Sequence, residues 1–223
     1  MDQQSAAELF WSSLGPIALG AVRGTIPLAL LSFAVGLAVA LVVALMRLSR
    51  RRWLSGVARV YISVVRGTPL LVQLFVIFYG LPSIGVVIDP WPSAVVAFSV
   101  NVGGYAAEII RAAILSVPKG QWEAAYMIGM SHRLALRRII LPQAARVSVP
   151  PLSNTFISLV KDTSLASLIL VTELFRQAQE VAAFSQEFML LYLEAALVYW
   201  VICLALSAAQ GALETRLDRY VAH

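Results

Sequence analysis

Lys161 and Asp162 stand side by side within a long apolar stretch, and Thr163 and Ser164 continue the polar patch. If the span that holds them starts near Ser148, Lys161 lies about 20 Å in, past the bilayer middle, at about 1.5 Å per residue. On another apolar segment Asn101, Tyr105 and Glu108 recur at four- and three-residue steps, which places them on one helical face. A polar group at membrane depth costs a few kcal/mol in lipid and so tends to face protein or water. The chemistry these residues offer is binding. An ammonium beside a carboxylate matches the two charges of a zwitterion, and Asn101, Thr163 and Ser164 add neutral hydrogen-bonding groups. A purely structural alternative stays open, in which Lys161 pairs with Asp162 or Glu108, and Glu108 pairs with Arg111 one turn on. His132 and His223 are too isolated for a metal site. The single cysteine, Cys203, excludes an intrachain disulfide, and no GxxxxGK[ST] phosphate-binding loop occurs.

The elements that must position these groups are membrane helices. Of the 223 residues 60% are hydrophobic and 13% charged, and the mean hydropathy is +0.81. Such a composition predicts an all-α integral membrane protein with about five spans of roughly 20 residues each. The apolar runs place them at about 25–46, 57–80, 93–116, 148–171 and 189–211, with a basic insert at 117–147. Pro69 is expected to bend the second span, and Pro150 and Pro151 to mark the entry of the fourth. Gly20 and Gly24 are read as loop or local packing, and Gly103 and Gly104 as a close helix contact or a hinge. The stretch before Arg23 carries Asp2 and Glu8 without a basic residue, so no cleaved signal peptide is expected.

Of the seventeen Lys and Arg residues, thirteen fall on or beside one face: Arg47, Arg50, Arg51, Arg52, Arg59, Arg111, Lys119, Arg133, Arg137, Arg138, Arg146, Arg216 and Arg219. Arg23 and Arg176 fall near the other, and Arg66 and Lys161 within spans. The positive-inside rule therefore predicts an external N-terminus, a cytoplasmic C-terminus and a cytoplasmic insert. The net charge of +5 is explained by this clustering, without nucleic acid.

The insert carries the second constellation. Glu123, Ala124 and Ala125 are followed after three residues by Gly129, and after nine more by Ile139, Leu141 and Pro142. Small residues at Ala124, Ala125 and Gly129 are expected to thin one helical face so that a partner's groove approaches the backbone. This pattern resembles the signature loop of the membrane subunits of bacterial ATP-binding-cassette importers. The likeness extends to RGTPLLVQLFVIFYGLP (66–82), VPKGQWEAA (117–125) and LPQAARVSVPPLSNTFISLVKDTSLASLI (141–169), which look like the polar amino acid importer permeases. DPWPSA (89–94), LVKDTSLASL (159–168) and ELFRQAQ (173–179) look most like the L-cystine permeases among them.

The resemblance implies a type I importer transmembrane domain over residues 1–223, in the bacterial inner membrane. It implies a non-catalytic subunit that docks on a dimer of ATPase subunits through Glu123, Ala124, Ala125, Gly129, Ile139, Leu141 and Pro142. Glu123 either caps its own helix or contacts the ATPase. ATP and Mg belong to that partner, with no cofactor in this chain. A second permease copy, an extracytoplasmic solute-binding protein and an amino acid, most of all L-cystine, complete the expected set. Two other classes remain open from the residues: a secondary carrier using Glu108 and Asp162 for ion coupling, and a non-transporting anchor of an ATPase.

Overall fold

A computed structural model describes residues 5–218 of the chain, so Asp2, Arg219 and His223 lie outside the described residues. Ten α-helices run through them, joined in places by π or 3-10 turns. Helix α1 (Ala6–Gly20) begins at a capping box: the Ser5 hydroxyl accepts from the Glu8 amide at 3.3 Å and Glu8 Oε2 accepts from the Ser5 amide at 3.0 Å. A π turn (Ala21–Thr25) leads straight into α2 (Ile26–Leu48), making one 43-residue rod. Gly20 and Gly24 are therefore helical and not in a loop. Their place is set by packing, since a Cβ on Gly24 would collide with the Thr172 carbonyl oxygen.

Helix α3 (Arg52–Gly67) and the segment that starts with α4 (Leu70–Phe75) and runs on to Ile84 meet at 106°, so the stretch expected as one span at 57–80 is sharply broken. Pro69 disfavours a helical Thr68, which takes φ −121° and ψ 145°. The Gln73 side-chain amide then donates to the carbonyls of Val65 and Thr68 at 2.7 and 3.1 Å, and to Thr68 Oγ1 at 2.9 Å. It thus satisfies carbonyls that the break strips of helical partners.

Helix α5 (Pro90–Ser116) is the central post. It packs on α2 and α3 through glycines: a Cβ on Gly103 would lie 2.6 Å from Tyr61 Oη, and one on Gly104 2.6 Å from Val65 Cγ1. Gly103 and Gly104 are close-contact positions, as small residues between membrane helices commonly are. Around them Ala40, Ala44, Ala97, Phe98, Ala106 and Ala107 are buried.

Helix α6 (Lys119–Met127) is short, and α7 (His132–Ala135) starts a rod that runs through a π turn (Leu136–Ile140) into α8 (Leu141–Asp162). The fourth segment is thus helical from His132, well before 148. Pro142 occupies its first turn, whereas Pro150 and Pro151 lie in the interior of α8 and not at its entry. A 3-10 stretch (Thr163–Ile169), α9 (Leu174–Ser185) and α10 (Phe188–Asp218) complete the chain. Three helical stretches are long and apolar enough to cross a membrane, and each of two bent pairs adds a further candidate.

Candidate functional site: a polar cavity and a short insert helix

The break between α3 and α4 opens a cavity of about 410 Å³ against α5 and α8. Asn101 and Tyr105 reach it from α5, Asn154, Thr155, Ser158 and Asp162 from α8, and Thr68 from the break. Asn101 Nδ2 donates to Gln73 Oε1 at 3.2 Å, so the residue that stitches the break also orients a cavity wall. The Arg66 guanidinium lies over the Tyr105 ring, 5.3 Å from its centre. The arrangement offers hydroxyls, amides and one carboxylate to a small polar solute.

The residues read together in the sequence part company here. Neighbours on a helix point about 100° apart, so Lys161 and Asp162 face different sides. Lys161 and Ser164 line a second pocket of about 600 Å³ with Phe175, Tyr192, Tyr199, Trp200 and Cys203. Thr163 is fully buried and donates to the Val160 carbonyl at 2.7 Å. Glu108 Oε2 accepts from Arg111 Nε and Nη2 at 3.0 and 2.7 Å, and Arg47 Nε lies 3.5 Å from Glu108 Oε1. That last contact is charge attraction without an aligned hydrogen bond. Glu108 is not part of the cavity wall, which Asn101, Tyr105 and Asp162 share.

Asn154 and Ser158 escaped the sequence reading, though with Asp162 they repeat at four-residue steps along one face. Glu173 escaped it as well. Its buried carboxylate accepts from the Phe175 and Arg176 amides at 2.9 and 2.7 Å and from the Tyr199 hydroxyl at 2.9 Å. The Glu173 side chain thereby caps α9 and ties it to α10.

The basic insert folds as a helix with a built stop. Gly129 takes φ +78°, its amide donates to the Tyr126 carbonyl at 2.9 Å, and the Met130 amide donates to the Ala125 carbonyl at 3.0 Å. This is a Schellman ending with glycine at its left-handed position. Gly129 therefore lies beyond α6, and not on a thinned helical face. Ala125 is buried, Ile139 and Leu141 pack half-buried on Ile140, Ala144 and Ile114, and Glu123, Ala124 and Pro142 stay exposed. Glu123 is the fifth residue of α6, past the first turn, so it does not cap that helix. The apolar tips are Met127 and Ile128, 87% and 76% exposed. The Trp122 ring stacks on His132 with centres 4.9 Å apart, and the Tyr126 hydroxyl lies 2.8 Å from His132 Nδ1. Gln143 Nε2 donates to Gln121 Oε1 at 3.3 Å, a further tie between α6 and α8.

Residues 35–219 match the family described as the inner membrane component of binding-protein-dependent transport systems. The chain belongs to that family. This inner-membrane component is 61% identical over 216 residues to the L-cystine transport system permease protein TcyB of Bacillus subtilis (strain 168), covering 96% of this chain and 92% of that one. It is 39% identical over 206 residues to the probable amino-acid ABC transporter permease protein YckA of the same strain, covering 92% and 91%. A crystal structure of an amino acid ABC transporter with histidines superposes with a TM-score of 0.87 at 36% identity, covering 97% of this chain and 100% of that one. The all-helical fold is that of a type I importer transmembrane domain.

Proposed function

We propose that this component is the translocation-path subunit of an ATP-driven amino acid importer and that its substrate is L-cystine. The polar cavity within an otherwise apolar bundle carries this reading. The 61% identity to a cystine permease over nearly the whole chain supports the choice of substrate. Asp162 would accept the substrate ammonium, with Asn101 and Tyr105 as neutral partners. Lys161 and Ser164 would serve the path from the neighbouring pocket, and Thr163 and Glu108 would support it through packing and ion pairing. The chain holds five spans with the N-terminus outside, and residues 117–147 form the cytoplasmic coupling loop.

Glu123, Ala124, Ala125, Gly129, Ile139, Leu141 and Pro142 set up the docking of α6 on a separate ATPase that uses ATP and Mg. Met127 and Ile128 add the apolar tips that enter its groove. ATP binding closes the ATPases, α6 moves with α8 as a lever, and two permease copies rock between outward-open and inward-open states. A solute-binding protein delivers the substrate from outside.

The test is co-reconstitution of this chain with its ATPase and binding protein in vesicles. L-Cystine uptake should require all components and hydrolysable ATP. Uptake by the chain alone, driven by an ion gradient, would make it a secondary carrier; ATPase binding without uptake would make it an anchor.

A further inference from the structure

Helix α3 carries Arg52, Arg59 and Arg66 at seven-residue steps, and all three are exposed. Seven residues turn a helix by nearly two full turns, so the three guanidinium stems form one line with steps of about 10 Å. The opposing faces of the helix are accounted for. Ala58, Ile62 and Val65 are buried, and Tyr61 donates to the Val100 carbonyl of α5 at 2.6 Å. Trp53, Val57, Val60 and Val64 are exposed and apolar, roughly a third of a turn from the arginines. An apolar exposed face suits hydrocarbon, whereas a row of guanidinium groups that runs from the basic cluster at one face into the span belongs against water or a polar ligand. Among the described residues none of the three arginines has a carboxylate within 4.0 Å; the ion pairs formed by arginine involve Arg47, Arg111 and Arg176.

The upper end of this line is attached to the cavity. Arg66 covers Tyr105, a cavity wall, and Thr68, two residues on, is another. The lower end joins the basic run Arg50, Arg51 and Arg52. We propose that Arg66, Arg59 and Arg52 form an exit track that takes the carboxylate of the departing amino acid from the cavity to the cytoplasm. The proposal rests on the importer reading above and adds to it the chemistry of release. A guanidinium binds a carboxylate through a planar fork, and equally spaced sites of similar strength let the anion step between them without a deep trap. The track also favours substrates that keep at least one free carboxylate.

The test uses the complete complex with ATPase and binding protein in vesicles, reading initial L-cystine uptake and ATP hydrolysis side by side. Steering fields of this kind change rates tenfold or more, so Arg59→Glu should lower uptake about tenfold and Arg59→Gln about threefold, with Arg59→Lys within about twofold of wild type. Hydrolysis stimulated by loaded binding protein should stay within about twofold, because α6 is untouched. The Arg59→Glu defect should shrink as salt is raised from about 0.05 to about 0.5 M, as screening requires. Should Arg59→Glu fail to assemble, Arg59→Gln and Arg52→Glu carry the same comparison.

Wild-type uptake by the charge-reversed complexes would overturn the track. So would a salt-independent defect in which Arg59→Lys matches Arg59→Gln and hydrolysis falls with uptake, since that is the mark of a packing role. A defect seen only in vesicles containing anionic lipid, and absent in wholly zwitterionic ones, would assign the arginines to lipid headgroups instead. Absence of ATP-dependent uptake by the wild-type complex would remove the importer reading itself.

Discussion

Gly129 acts through its backbone. At φ +78° a residue with a Cβ costs about 1–2 kcal/mol, less for asparagine. Nothing lies within 4 Å of a Cβ built there, so the cost is conformational and not steric within the chain. Gly129→Leu should insert normally but misdirect the segment after α6, reducing ATPase pull-down and uptake several-fold, while Gly129→Asn should keep most of both. Equal loss in the two variants would restore the explanation by side-chain bulk. In the path, Asp162→Asn should lower uptake about tenfold or more with the ATPase still bound, in line with loss of a charge-assisted contact of about 1.5–3 kcal/mol. Lys161→Ala, on the other side of the same helix, should cost less. Uptake assays that rank them the other way would move the substrate to the pocket lined by Lys161 and Ser164.

The break between α3 and α4 shows how one side chain can hold two elements. Pro69 makes the bend, and Gln73 supplies the donors that the bent backbone needs. Gln73→Leu keeps the volume and strips those donors, so two carbonyls lose their partner and Asn101 loses its acceptor. Each loss costs about 1–3 kcal/mol where water is excluded. A thermal shift of the detergent-solubilised protein should fall clearly, and an unchanged midpoint would mean that water replaces the amide. Gly103→Val tests the opposite fault, overpacking, at about 1–3 kcal/mol. Its new side chain would meet Tyr61 and Val39 within 3 Å, and a stable, fully assembling variant would show that α2 and α5 can separate.

At the scale of the whole molecule, one chain walls its cavity with only α4, α5, α8 and the break. A closed path calls for a second permease. We expect two copies of this chain related by a two-fold axis along the membrane normal. Differently tagged copies should co-purify from a functional complex, and a complex containing one tag only would point to a paired, non-identical subunit. The proposed coupling lever also belongs to this scale. The stack of Trp122 on His132 joins α6 to the rod that continues into α8 and the cavity wall. Trp122→Ala should therefore reduce uptake per ATP hydrolysed by several-fold while the ATPase stays bound.

Sequence alone determined the membrane class, the helical fold, the family and the basic insert, because hydropathy, charge asymmetry and the EAA to Ile-x-Leu-Pro spacing are local properties that survive without a partner. It also supplied Asn101, Tyr105 and Asp162, since polar groups within apolar runs stand out by cost alone. Tertiary structure decided which of the polar groups meet. Lys161 and Asp162 are neighbours in the chain and face different pockets, while Glu108, on the same helix as Asn101, is held by Arg47 and Arg111. The physical reason is angular: a helix turns each residue about 100° from the last, and the packing of α5 and α8 selects which angle faces the cavity. Likewise Gln73 and Glu173 gained their roles only when a bend and a helix start presented unpartnered backbone groups to them, and that need exists in the folded chain alone.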